Sequence, residues 1–172
     1  MLKIAGVMLC VSGCCGYGLL KIAAWNQALK ELKQWILLFQ KMQSHIKYQR
    51  DTLEDICCLM NRSIYGIGGV YTYQVGKRAR EQRERQFVEI WNEVMKEWKR
   101  ESFLSNEIKD LIGRFPDYTG EQDYELQLNF LDLFINSLIK EKDMMEKHIK
   151  EKKKPVIAVS LSGGVLIAIL LI

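Results

Sequence analysis

The chain has 172 residues, 25 Lys and Arg against 21 Asp and Glu, and a formal net charge of +4. Its mean hydropathy of -0.11 is that of an ordinary soluble domain, yet all 21 acids and 24 of the 25 basic side chains lie between Lys21 and Lys154. That middle is long enough for one domain with a real core and too short for a two-domain enzyme. Its mixed signs argue against a nucleic-acid partner, which needs a clustered basic face. The small number of prolines, Pro116 and Pro155 alone, argues against a disordered chain.

The first element is an apolar run. Lys3 and Lys21 bracket 17 uncharged residues, Ile4 to Leu20. As a helix this run spans roughly 26 Å, the short end of what crosses a bilayer. Val156 to Ile172 is a second uncharged run of 17 residues, with Pro155 at its start. The pair predicts two transmembrane anchors, residues 1–21 and 155–172, around a helical domain at 22–154. Gly6, Cys10, Cys14 and Gly18 recur at spacing four, as do Ser160, Gly164 and Ala168. Such ridges let membrane helices approach closely; the simpler reading is small residues facing lipid.

Other readings of the N-terminus are a cleaved signal peptide and a lipoprotein box, Val11-Ser12-Gly13-Cys14, with Cys14 lipidated. Both place the middle domain outside the cytoplasm. The charge before the second run argues otherwise. Lys147, Lys150, Lys152, Lys153 and Lys154 precede it and nothing basic follows. The positive-inside rule then puts 22–154 on the cytoplasmic side, between two uncleaved anchors. The cysteines agree: Cys10, Cys14, Cys15, Cys57 and Cys58 are odd in number and no disulfide framework, as suits a reducing compartment.

From Trp25 the apolar positions step by three and four through Ala28, Leu32, Trp35, Phe39, Met42 and Ile46. This predicts an amphipathic helix over 22–48, widened by Leu29, Ile36, Leu37 and Leu38 into a bundle face. Asp51 and Thr52 suit N-caps, and Thr52 to Asp55 has near-capping-box spacing, so a second helix is expected over 52–64. Tyr65 to Gly69 reads as a C-cap and turn; without a preceding strand or a Gly-Lys-Ser/Thr ending it is no phosphate loop. A third helix is expected over 72–100, with Phe87, Ile90, Trp91, Val94 and Trp98 inward. A fourth is expected over 105–115, with Ser105 as N-cap and Pro116 as its stop. A fifth begins near 120–123, carries Leu126, Phe130, Leu133, Phe134, Ile135, Leu138, Met145 and Ile149, and runs almost continuously into the second apolar run. The fold class is all-α: an antiparallel helical bundle flanked by two transmembrane helices.

Catalytic signals are missing. His45 and His148 lack metal-ligand spacing, and Cys57 and Cys58 are adjacent rather than spaced as ligands. No nucleophile elbow, Walker loop or dinucleotide fingerprint occurs. Asp117, Glu121 and Asp123 cluster at a turn, where capping explains them more simply than acid–base work. No enzyme and no cofactor is expected. The charged run Lys77, Arg78, Arg80, Arg83 and Arg85 is a solvated face in the simple reading and a docking face for a partner in the sharper one.

An ordered series of residues resembles the stage III sporulation protein AB family. Met1-Leu2-Lys3 opens a glycine-containing anchor. The helix Leu32 to Ile46 leads to Tyr48 and Thr52-Leu53, similar to the family's Thr-Pro-Leu turn without its proline. Ile90-Trp91 resembles its Ala-Trp step. Leu104, Leu111-Ile112-Gly113, Asp123, Gln127 and Leu131 follow its most characteristic stretch, and Gly163-Gly164 lies in a terminal apolar run. The glycine-rich 65–76 segment departs from the pattern. The resemblance implies a non-enzymatic platform or adaptor in the channel between mother cell and forespore, similar to the cytoplasmic helical domains of type II secretion and type IV pilus platform proteins. It implies a mother-cell membrane location facing the forespore. Its implied partners are a cytoplasmic secretion-type ATPase and other membrane subunits, beside membrane lipid. It also directs attention to Asp123 and Gln127. A homo-oligomer is compatible with such a bundle. The alternative is a generic membrane-anchored receptor or tether unrelated to sporulation.

Overall fold

The computed structural model describes residues 2–49, 51–60, 62–119 and 124–171. The side chains of 2–11, 14, 15, 62–64, 124, 161 and 163–171 also lie outside the described set. The order is α1 (Leu2–Gln49), α2 (Leu53–Leu59), α3 (Arg62–Glu81), α4 (Phe87–Glu101), α5 (Asn106–Gly113), a 3-10 turn (Phe115–Tyr118) and α6 (Tyr124–Leu171). The protein is all-helical, with no strand among the described residues. Among those residues no helix is long and apolar enough to cross a membrane. Much of both terminal runs, including the ridge positions Gly6, Cys10, Cys14, Gly164 and Ala168, lies outside the described side chains.

Two compact units are present. One comprises 28–143, and its core is the stripe read from α1. Ala28, Leu32, Trp35, Phe39, Met42 and Ile46 are all buried, and Ile36 and Leu38 join them, while Leu37 is exposed. Phe39 sits at the centre of an aromatic cluster. It stacks on Trp35 at 5.4 Å, meets Phe115 at 4.7 Å and abuts the edge of Phe134 at 4.9 Å between ring centres. Trp35 meets Trp98 at 4.9 Å and Trp91 meets Phe115 at 4.9 Å. Trp35 contacts Trp98 while Phe39 contacts Trp91, so α1 and α4 pack antiparallel.

One acid lies inside this cluster. Glu31 is 5% exposed. Its Oε1 accepts the Trp98 indole N–H at 3.0 Å and its Oε2 accepts the Phe103 backbone N–H at 3.1 Å. Both oxygens are therefore used, which is what a buried carboxyl group requires. The contact fixes the C-terminal turn of α4 against α1.

The chain between α1 and α4 differs from the expectation in two places. The second helix ends at Leu59, and the Tyr65 to Gly69 segment read as a turn is a kink at Gly66 between two helical stretches of α3. Gly66 alone departs, with φ +57° and ψ -136°, a conformation open to glycine and strained for other residues. The other glycines there provide space. A Cβ on Gly68 would stand 2.9 Å from the Trp35 ring, and one on Gly76 would stand 2.7 Å from the Cys58 backbone nitrogen. The expected single helix over 72–100 is in fact two, α3 and α4, joined by a turn in which Arg85 N–H donates to the Gln82 carbonyl at 2.9 Å. Charged residues fill that turn, and a polar helix without an apolar stripe gains little from tertiary packing.

Two of the expected caps, Thr52 and Ser105, are present. Thr52 Oγ1 accepts from Asp55 N–H at 3.3 Å and donates to its carboxyl at 2.7 Å. Ser105 Oγ accepts from Ile108 N–H at 3.4 Å. Pro116 falls within the 3-10 turn that follows α5. In α6, Leu126 and Leu133 are exposed, contrary to the stripe read for them; Leu131, Phe134, Ile135 and Leu138 form the buried face.

The second unit comprises 1–27 and 144–172. Here the stretches of α1 and α6 run side by side. Gly18 is buried against Ser160, whose Cβ would lie 3.0 Å from a Cβ on the glycine. Trp25 meets His148 edge-on at 5.6 Å. Higher numbers on one helix meet lower numbers on the other, so the pair is antiparallel. The small-residue ridges read from sequence thus meet at Gly18 and Ser160. Pro155 lies inside α6, where it removes one backbone hydrogen bond.

Replacing Glu31 with Ala strips two donors of their acceptor, and is expected to cost about 2–4 kcal/mol. Glu31→Gln, which keeps one carbonyl, is expected to cost less. Urea unfolding of the detergent-solubilised chain, followed by tryptophan fluorescence, measures both. A midpoint unchanged by Glu31→Ala contradicts the role given to this acid. Gly66→Ala is expected to cost about 1–3 kcal/mol in the same assay through backbone strain.

Candidate functional site

The basic run read as a docking face falls on the end of α3 and on the turn to α4. Arg78, near the end of α3, and Arg85, in the turn that follows, both reach the side of α4 that faces α3. There Glu89, Glu93 and Glu97 form a row at spacing four, one carboxylate per helical turn. Arg78 Nη1 reaches Glu93 at 3.1 Å and its Nη2 reaches Glu97 at 3.3 Å. Arg85 Nη2 reaches the other oxygen of Glu93 at 2.9 Å, and its Nε lies 3.6 Å from Glu89. The two arginines share Glu93 and clasp the helical hairpin.

The remaining basic residues are placed differently. Arg80 Nη2 donates to Asp55 Oδ1 at 2.6 Å, tying α3 back to α2. Lys77 lies 3.9 Å from Glu81 on its own helix, with 63% of its side chain exposed. Arg83 is exposed at the turn and has no ion pair among the described residues. The run is therefore both a fold element and a surface: Arg78, Arg80 and Arg85 are engaged inside the chain, while Lys77 and Arg83 face outward.

Asp123 lies outside the described residues, as does Glu121. Gln127 is described and lies within the fold. Its Nε2 donates to the Thr119 carbonyl at 2.7 Å, and Thr119 Oγ1 donates to the Pro116 carbonyl at 3.0 Å. Gln127 thereby ties the start of α6 to the 3-10 turn. Asp117 is exposed on that turn. Cys57 is buried, and burial pushes its thiol well above its ordinary pKa; such a thiol is a poor nucleophile. Among the described residues no group of three or more His, Cys, Asp or Glu is placed to hold a metal ion.

The glutamates of α4, the Asp55 partner of Arg80 and the buried Glu31 were not singled out from sequence. The row 89, 93, 97 at helical spacing opposite an arginine pair is the signal that points to the clasp. Nothing local marks Glu31, whose partners lie 67 and 72 residues away.

Several carboxyl groups are held below the usual range. For Asp55 the first cause is the Thr52 hydroxyl and the second the Arg80 guanidinium. For Asp110 it is Lys99, whose Nζ is 2.5 Å away. A lowered folded-state pKa contributes stability that is present above the unfolded carboxyl value and lost as pH falls through the folded one. Asp55→Asn is therefore expected to melt below the wild-type chain at pH 7. The gap should begin to shrink near the ordinary carboxyl value of about 4 and close only at lower pH, as the lowered folded-state value is passed. A melting difference that stays constant from pH 7 to pH 2 contradicts this assignment.

The profile of the family described as stage III sporulation protein AB matches residues 3–172. No curated protein and no solved structure matches the chain. The match spans both compact units, the helical hairpin with its ionic clasp, and both apolar runs. The chain therefore belongs to the stage III sporulation protein AB family and has its role in sporulation.

Proposed function

We propose that this protein is a non-enzymatic membrane platform or adaptor of the mother cell–forespore channel, coupling a cytoplasmic ATPase to the membrane subunits. Residues 1–21 and 155–172 are its membrane anchors. Residues 22–154 stand on the cytoplasmic side of the mother-cell membrane that faces the forespore. The observation that carries this reading is the placement of charge: five lysines, Lys147, Lys150, Lys152, Lys153 and Lys154, stand directly before the uncharged run Val156 to Ile172. Family membership supports the sporulation setting over an unrelated tether.

The helical unit suits mechanical coupling. Its aromatic core is continuous from α1 through α4 to the start of α6, so a load applied at the hairpin is borne by packed rings rather than by a loop. The hairpin tip is its most charged exposed part. Lys77 and Arg83 are the residues there best placed to meet an acidic surface, because the neighbouring arginines are held by glutamates. Rim charges of this kind steer association and set salt dependence more than they fix affinity.

Co-purification of the tagged full-length protein from sporulating cells tests the reading. A secretion-type ATPase and membrane subunits of the same channel are the expected companions. The double variant Lys77→Glu with Arg83→Glu is expected to lower recovery of the ATPase about fivefold or more while the chain stays folded. Recovery of the membrane subunits with no ATPase, from either protein, refutes the coupling role.

A further inference from the structure

The terminal unit contains a groove that the platform role does not use. It is lined by Gly13, Tyr17 and Lys21 of α1 and by Pro155, Val156, Val159 and Ser160 of α6, and encloses about 490 Å³. That volume is within the range of ligand pockets. Its lining is mainly apolar, and Lys21 is its one charged member. The groove exists because of the Gly18–Ser160 contact: the helices touch there, and Gly13, with nothing within 4 Å of a Cβ, leaves the space beside it open.

The polar end of the groove has a definite chemistry. Lys21 places its ammonium 5.7 Å above the centre of the Trp25 ring. Tyr17, one turn earlier on the same helix, is 67% exposed. Lys152, Lys153 and Lys154 are exposed on the turn of α6 that leads into Pro155. An apolar slot lined by Tyr17 and ending at Lys21, whose ammonium sits over Trp25, is the arrangement expected at a bilayer surface. Basic clusters beside a membrane segment attract anionic headgroups, each lysine contributing roughly a fivefold gain in affinity. Charge also decides against a second copy of the chain in this groove, since Lys21 and Lys152–Lys154 would then meet their own like charges.

We propose that this groove binds an anionic glycerophospholipid, with an acyl chain between Gly13 and Val159 and the phosphate at Lys21. The lipid fills the open side of the helix pair and holds the two anchors together beyond their contact at Gly18. The inference rests on the reading that residues 1–21 and 155–172 lie in a membrane.

Native mass spectrometry of the full-length protein in neutral detergent, titrated with phosphatidylglycerol and separately with phosphatidylcholine, is the test. Phosphatidylglycerol is expected to be retained about tenfold more strongly. Lys21→Gln is expected to weaken phosphatidylglycerol about fivefold and leave phosphatidylcholine unchanged. Gly13→Leu, whose Cβ has nothing within 4 Å and whose side chain extends into the groove, is expected to reduce retention of both. Equal retention of the two lipids overturns the proposal, as does a dimer that Gly13→Leu abolishes irrespective of lipid. An alkaline carbonate wash of membranes from the same cells separates the two readings. A chain that washes out of the membrane removes the anchoring and this site together; a chain that stays without lipid preference removes this site alone.

Discussion

A carboxyl group in an aromatic core is tolerated only where its oxygens find donors, and Glu31 is so placed. It lies on α1 between Ala28 and Trp35, one turn before the largest ring cluster of the protein. Its two acceptors take the indole of Trp98 and the first free amide after α4. An unpaired polar group at this position would cost more than most single packing contacts contribute. The requirement therefore selects one arrangement of α1 against α4 among the many that would bury the same apolar stripes. Trp98 then packs on Trp35, Phe39 takes its place between Trp91 and Phe134, and Phe115 closes the cluster from the 3-10 turn. The ionic clasp on the outer face of α4 depends on that rotation, because it sets which row of glutamates meets α3.

Much of this was legible in the residues. The α1 stripe from Ala28 to Ile46, the Thr52 and Ser105 caps and the inward face of α4 follow from spacing and from the orphan donors at a helix start. Local pattern fell short where tertiary space decided. The glycines of 65–69 read as a turn because glycine is a poor helix former. In the fold, Gly68 and Gly76 are required by what stands next to them, the Trp35 ring and the backbone of Cys58, and only Gly66 by its own torsions. The division of 72–100 into two helices was missed for the opposite reason: a charged segment with both signs has helical propensity but no face to bury. Of the candidate docking residues, sequence located the basic run but not its acidic partners, since pairing between α3 and α4 appears only once the hairpin is closed. Gln127 was flagged by resemblance, and its bond to Thr119 gives it a structural task.

The two compact units divide the work by chemistry. The unit at 28–143 is held by rings, caps and exchangeable surface ion pairs, and exposes its charge at a hairpin tip. The unit at 1–27 and 144–172 is held by close approach of small side chains and by an aromatic pair beside lysines. Both α1 and α6 are helices of 48 residues that contribute to each unit.

The central claim is that a helical unit is held on the cytoplasmic side by anchors at both ends. Protease accessibility of the full-length protein, compared between intact protoplasts and inverted membrane vesicles, tests it most directly. The account predicts cleavage within 22–154 in inverted vesicles, with both terminal segments protected, and no cleavage in intact protoplasts. Cleavage of the same region in intact protoplasts would contradict it.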